Sequence, residues 1–244
     1  MCAARFLSLI KAAARASLRG ALALLALAAP KAEAGAWPQE VGKIFASSGV
    51  ELGFDEELYL LGSPLPVVGW SSLYIDYGLT KRLTLTIDYG REIGGLLRED
   101  TPIPEAAYLI LRWDLAPEAV WRRAVSGGLG WSETGLRHHF GLHLGRGFDS
   151  HFGSGWMNAD ASLRSTAQGG AELGLDLVAG LNQSEALKLM SGMQVKSIDG
   201  ADPVVRLTTG LAYALQKFDI ELGLAYRPDA PEQSRLKLAI WQNF

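Results

Sequence analysis

The sequence predicts an all-β fold: a closed, antiparallel transmembrane β-barrel of about twelve strands in an up-and-down meander. Three observations carry that expectation. Apolar and polar residues alternate with a period of two in segment after segment, as strands with one apolar face require. The polar face of nearly every segment carries glycines and charges of both signs, which a barrel encloses as a polar lumen. Beyond the first 34 residues no apolar run reaches the ~18 residues of a membrane helix, so any membrane crossing must be made by strands.

The opening of the chain stands apart. Basic residues Arg5, Lys11, Arg15 and Arg19 precede the apolar run Ala21 to Ala29, and small residues follow at Ala32, Ala34 and Ala36. That order predicts a cleaved secretory signal peptide over residues 1–34, with Ala36 as an alternative cleavage point and 35–244 as the barrel. Residues 1–34 hold five Lys/Arg and one acid, so of 23 basic and 26 acidic groups the mature chain keeps 18 and 25, a net charge of −7. No basic face for nucleic acid is expected. The single cysteine, Cys2, falls in the leader, so the mature chain has no disulfide and no thiolate chemistry.

The strands follow in order. The first spans 43–53. In the second, Leu73, Ile75, Tyr77 and Leu79 alternate with Ser72, Tyr74, Asp76 and Gly78. Only Thr80 and Lys81 separate it from the third, where Leu83, Leu85, Ile87 and Tyr89 alternate with Arg82, Thr84, Thr86 and Asp88; the two make a hairpin. Leu109, Leu111 and Trp113 mark the fourth, opposite Tyr108, Arg112 and Asp114. Weaker alternation places strands at 123–131, 136–146, 156–164 and 187–196. Leu173, Leu175 and Leu177 mark the eighth, against Glu172 and Asp176. Val205, Leu207, Leu211 and Tyr213 mark the tenth, and Ile220, Leu222, Leu224 and Tyr226 the eleventh. The last runs through Leu236, Leu238 and Ile240.

Aromatics near strand ends (Tyr77, Tyr89, Trp113, Trp131, Tyr213, Tyr226) fit interfacial girdles. Connectors alternate too: 80–81 and 215–217 are short, while 55–68, 91–104 and 228–233 are long. That places short turns at the periplasmic end and long loops outside. The links 132–135 and 147–155 run against this order.

The final residues, with Leu236, Leu238 and Ile240 in register before Phe244, resemble the carboxyl-terminal insertion signal of bacterial outer-membrane β-barrels. The place two before the end, usually aromatic in that signal, is Gln242, beside Trp241. The start Ala36-Trp37-Pro38 with Gly42, and the Tyr77-Gly78-Leu79-Thr80 hairpin, resemble small uncharacterised barrels of Gram-negative bacteria. The resemblance implies a location in the cell outer membrane. It also implies contact with membrane lipids and with the barrel-insertion machinery.

Candidate functional residues concentrate on the polar face. The alternation assigns to a candidate pore Arg82, Asp88, Arg112, Asp114, Arg137, Asp160, Arg164, Glu172, Asp176, Arg206, Asp219, Glu221 and Arg227. Enclosed charges of both signs are expected to pair. A twelve-stranded barrel exceeds the width that side chains fill in an eight-stranded one, so the expected function is a passive channel for small solutes. A non-conducting barrel presenting its outer loops is the alternative, and a lipase the third. The long first loop 55–68, with Leu58, Tyr59, Leu60 and Leu61, is a candidate constriction.

No catalytic set, metal site or cofactor is assigned. His139 and His143 share a face, but four residues of strand put them ~13 Å apart, too far for one ion. A metal would need carboxylates such as Asp160 to join a single histidine. His138 falls on the opposite, lipid-facing side with Leu136, Phe140 and Leu142. A lipase there needs a serine beside the imidazole, and the outward candidates Ser71 and Ser191 are not on evidently adjoining strands.

Overall fold

The computed structural model describes residues 37–54, Leu60, 67–93, 106–132, 135–166 and 169–244. They form twelve strands: β1 (Ile44–Phe54), β2 (Val67–Thr80), β3 (Leu83–Ile93), β4 (Ala106–Asp114), β5 (Arg122–Ser132), β6 (Gly135–Ser150), β7 (Gly153–Ser165), β8 (Ala171–Asn182), β9 (Leu187–Ile198), β10 (Val204–Ala214), β11 (Asp219–Tyr226) and β12 (Arg235–Asn243). Each pairs antiparallel with its sequence neighbours, and β1 closes the cylinder on β12. Closure leaves no edge strand with unpaired backbone groups, the condition for a sheet to cross a bilayer.

Alternation along β4 shows how the sequence sets the two faces. Leu109, Leu111 and Trp113 are 46%, 48% and 58% exposed, whereas Tyr108, Arg112 and Asp114 between them are 4%, 5% and 0% exposed. The charged residues are the buried ones. A wall that turns leucine and tryptophan outward and arginine and aspartate inward needs a hydrocarbon surround. The same outward band continues through Leu129, Trp131, Leu136, Phe140, Leu142, Leu207, Leu211, Leu222, Leu236, Leu238 and Ile240.

All twelve expected segments fall on strands, but one expected connector does not survive. Residues 147–155 are strand on both sides of a two-residue turn at His151-Phe152. Gly153 makes this possible: at φ +122° it takes a backbone conformation that side chains disfavour. This turn shares one end of the barrel with the turns 81–82 and 215–218, so a link read as long becomes one of the short ones. At the other end β5 and β6 are joined across only two residues, 133–134. Most of the first loop, and the leader 1–34, lie outside the described residues.

The chain enters from the short-turn end as a strap, residues 37–43, laid against the inner faces of β2 to β4. Gln39 N–H donates to Thr84 Oγ1 at 3.1 Å, Gly42 N–H to Gly78 O at 2.8 Å, and Arg112 Nη2 to Trp37 O at 2.9 Å. Gly78 is required by this crossing. A Cβ there would sit 2.0 Å from Glu40 O and 2.6 Å from Gln39 O.

Candidate functional site in the lumen

The enclosed face divides into a filled half and an open half. In the filled half, under the strap, Arg112 bridges β2 and β4. Its Nη2 lies 3.1 Å from Asp76 Oδ2, and its Nη1 reaches the Tyr74 hydroxyl at 3.5 Å. Thr86 Oγ1 also donates to Asp76. Two residues on, Asp114 is fully buried, and neither carboxylate oxygen has a hydrogen bond among the described residues.

Further round, Arg164 on β7 pairs with Asp88 on β3 at 2.7 Å and stacks over Tyr108, 4.7 Å from the ring centre. Its Nε donates to His139 Nδ1 at 3.3 Å. Both His139 and His143 reach Ser126 Oγ through Nε2, at 3.1 and 2.9 Å, and His143 Nδ1 meets Asp160 Oδ1 at 2.8 Å. The two histidines, expected ~13 Å apart from strand rise, instead meet at their ring nitrogens' common partner. Cα atoms four residues apart in a strand stay far apart, but the two side chains lean toward each other over Gly141 and meet on one hydroxyl.

The open half is bounded chiefly by β8 to β12 and β1. A cavity of about 860 Å³ lies there, lined among others by Glu51, Asn158, Lys188, Gln194, Glu221 and Lys237. Its lining runs lengthwise, from Asn182 and Phe244 at the short-turn end to Ala225, the penultimate residue of β11. On its lining Lys188 pairs with Asp219 at 2.7 Å and Lys237 with Glu221 at 2.9 Å, and elsewhere on these strands Lys196 meets Glu172 at 2.8 Å. Trp241 faces inward and donates to Glu221 at 3.1 Å.

The remaining candidate pore residues spread widely. Asp176 stands opposite Asp160 in the β7–β8 register, Arg206 is half-buried on β10, and Arg137 donates to Ser132 at 3.1 Å. Arg82 and Arg227 stand outside the strands. Arg82 sits exposed in the β2–β3 turn, and Arg227 follows β11, clamped on Asp229 at 2.9 Å. Arg82 immediately precedes the first residue of β3, and Arg227 immediately follows the last residue of β11.

The Arg227–Asp229 clamp has a predictable pH response. Hydrogen bonds from Arg227 hold the Asp229 carboxyl below the usual carboxylate range. A depressed value means the clamp is intact at neutral pH and is lost as pH falls through that lowered value. A carbon-13 titration of the Asp229 carboxyl should show a midpoint below ~3.9, returning toward that ordinary value in Arg227→Ala.

His138 is exposed on the outer wall of β6, between β5 and β7. Ser71 and Ser191 are on β2 and β9, where they bond backbone oxygens of Arg91 and Thr208. No outward serine–histidine pair forms from them.

No family model matches the chain, and no curated protein matches it. Solved structures do. The fold is similar to that of the KdgM porin, with a TM-score of 0.55 at 8% identity over 82% of this chain and 99% of that one. It is similar to the NanC porin, with a TM-score of 0.54 at 9% identity, over 82% and 98%. An outer membrane channel from Pseudomonas putida F1 gives 0.50 at 14% identity, over 88% and 100%. At these identities the shared property is the fold, that of bacterial outer-membrane barrels.

Proposed function

We propose that the protein is a passive channel for small polar solutes, exported to the outer membrane. One observation carries this reading: the cavity beside β8 to β12, lined by paired charges and amides, extends along most of the barrel. Paired charges make a hydrated surface without a strong single-sign trap, which lets a polar solute enter and leave. The similar folds of two porins and an outer membrane channel support the same reading.

Planar-bilayer recording of the refolded full-length protein tests it. Stepwise currents are expected, and silence across a range of voltages overturns the channel and leaves a barrel that presents its loops. Selectivity gives a second check. Asp219→Asn with Glu221→Gln strips the acids from Lys188 and Lys237. The reversal potential in a salt gradient should then move toward anion preference.

A further inference from the structure

On the inner wall, β5, β6 and β7 present a hydroxyl, an imidazole and a carboxylate in sequence. Ser126 Oγ lies 2.9 Å from His143 Nε2, and His143 Nδ1 lies 2.8 Å from Asp160 Oδ1. Register brings them together. His143 is the cross-strand partner of Asp160 on one side and of Ala124 on the other, and Ser126 is the next inward residue along β5. Gly141 keeps the meeting point clear, because a Cβ there would lie 2.3 Å from Ser126 Oγ and 2.9 Å from His143 Nε2.

The ends of this chain of bonds decide where its protons sit. A carboxylate only accepts, so His143 Nδ1 carries the proton facing Asp160 and Nε2 offers its lone pair to the serine. An arginine only donates, so Arg164 Nε leaves His139 Nδ1 as acceptor and His139 Nε2 as the N–H directed at Ser126 Oγ. Ser126 therefore gives its proton to a base on one side and faces a donor on the other.

We propose that Ser126 is a nucleophile for acyl transfer from small esters, with His143 as general base. Asp160 is the positioning residue that holds the His143 tautomer, and His139 Nε2–H is the donor to the developing oxyanion. Ser126 Oγ bonds to the ester carbonyl carbon as its proton passes to His143 Nε2. Collapse of the tetrahedral adduct breaks the carbon–alkoxide bond, and the alkoxide leaves with that proton. Water then attacks the acyl-serine through the same base, releasing the acid and restoring Ser126.

Exposure sets the size of the substrate. Ser126 is 4% exposed, while the side chains of His143 and Asp160 are 17% and 30% exposed. Base and carboxylate are the more exposed members of the set, and the hydroxyl is the buried one. That depth admits a short acyl group and excludes a long acyl chain.

Two measurements on the refolded full-length barrel test the proposal, with heat-modifiable gel migration confirming that each variant is folded. The first asks about reach. Ser126→Cys places a thiol in a chain whose only cysteine is Cys2, and iodoacetamide should alkylate it far faster than the thiol of Thr84→Cys, at a position that is fully buried. The second asks about reactivity. With p-nitrophenyl acetate the wild type should hydrolyse ester and carry a short alkyl fluorophosphonate on Ser126. Ser126→Ala should abolish both, and Asp160→Asn should slow hydrolysis on the order of 10²–10⁴-fold. A folded wild type no faster than Ser126→Ala, or an unreactive Ser126→Cys thiol, overturns the proposal and leaves the channel reading untouched.

Discussion

Arg112→Met should destabilise the barrel by about 3 kcal/mol, the low end for removing one partner of a buried ion pair. Arg112 is 5% exposed and neutralises an Asp76 side chain that is itself 9% exposed. Without the guanidinium, Asp76 keeps its bond from Thr86 but has no ion pair among the described residues, and Asp114 already makes no hydrogen bond there. The strap also loses the bond at Trp37 O. A urea titration of protein refolded into liposomes reads the shift in midpoint. The double variant Arg112→Met/Asp76→Asn should recover much of the loss, because no uncompensated charge remains at position 76. Gly78→Val attacks the strap from the other side: its Cβ cannot coexist with Glu40 O. Release of residues 37–43 from the mouth should raise single-channel conductance in both Arg112→Met and Gly78→Val. Unchanged conductance in both would show that the strap does not limit the path.

Deleting Phe244 should reduce outer-membrane assembly several-fold or more while export continues. The sequence suggests this through the register Leu236, Leu238, Ile240 and Phe244. The structure adds a separate reason. Ile44 N–H donates to Phe244 O at 3.2 Å and Phe244 N–H to Ile44 O at 2.9 Å, so the last residue completes the seam between the first and last strands. Seam bonds are made only when the cylinder closes, and they join residues from opposite ends of the chain. Fractionation with protease protection measures the effect. Phe244→Ala separates the two reasons, since it keeps the backbone bonds and loses only the ring. Normal assembly of the deletion variant would remove the terminal residue from both roles.

Periodicity made most of the fold legible. Twelve alternating segments became twelve strands because a two-residue period is a local property: each side chain points opposite to its neighbour whatever pairs beside it. Boundaries were less legible. The stretch 147–155 reads as a connector because Gly147, Gly153 and Gly155 interrupt the alternation, yet the glycines serve a tight turn and close strand contacts there. Arg82 and Arg227 fit the pattern by spacing alone and lie one residue outside β3 and β11, where pattern cannot distinguish wall from turn.

The candidate site was legible only in part. Composition and alternation place Asp88, Arg112, Asp160 and Arg164 on the enclosed face without telling which will pair. Arg164 meets Asp88 four strands away, on a contact that spans the lumen and has no signature in either strand. A lone serine in the run Ser126-Gly127-Gly128 looks like any small strand residue. The one available signal was His139-Phe140-Gly141-Leu142-His143, two inward histidines flanking an inward glycine. Spacing along a strand does not show that side chains beside a glycine can lean together, as these two do.

Alternation by itself determined that the chain forms strands, which residues each strand turns inward, and that the inner face is charged. These follow from local geometry and from the cost of exposing apolar or burying polar groups. Only the closed barrel decided that one half of the lumen fills with the Arg112 and Ser126 networks while the other stays open. The physical reason is that a strand's pattern sets only which way a side chain points: Ser126, His143 and Asp160 meet through the register of neighbouring strands, and Arg164 reaches Asp88 four strands away.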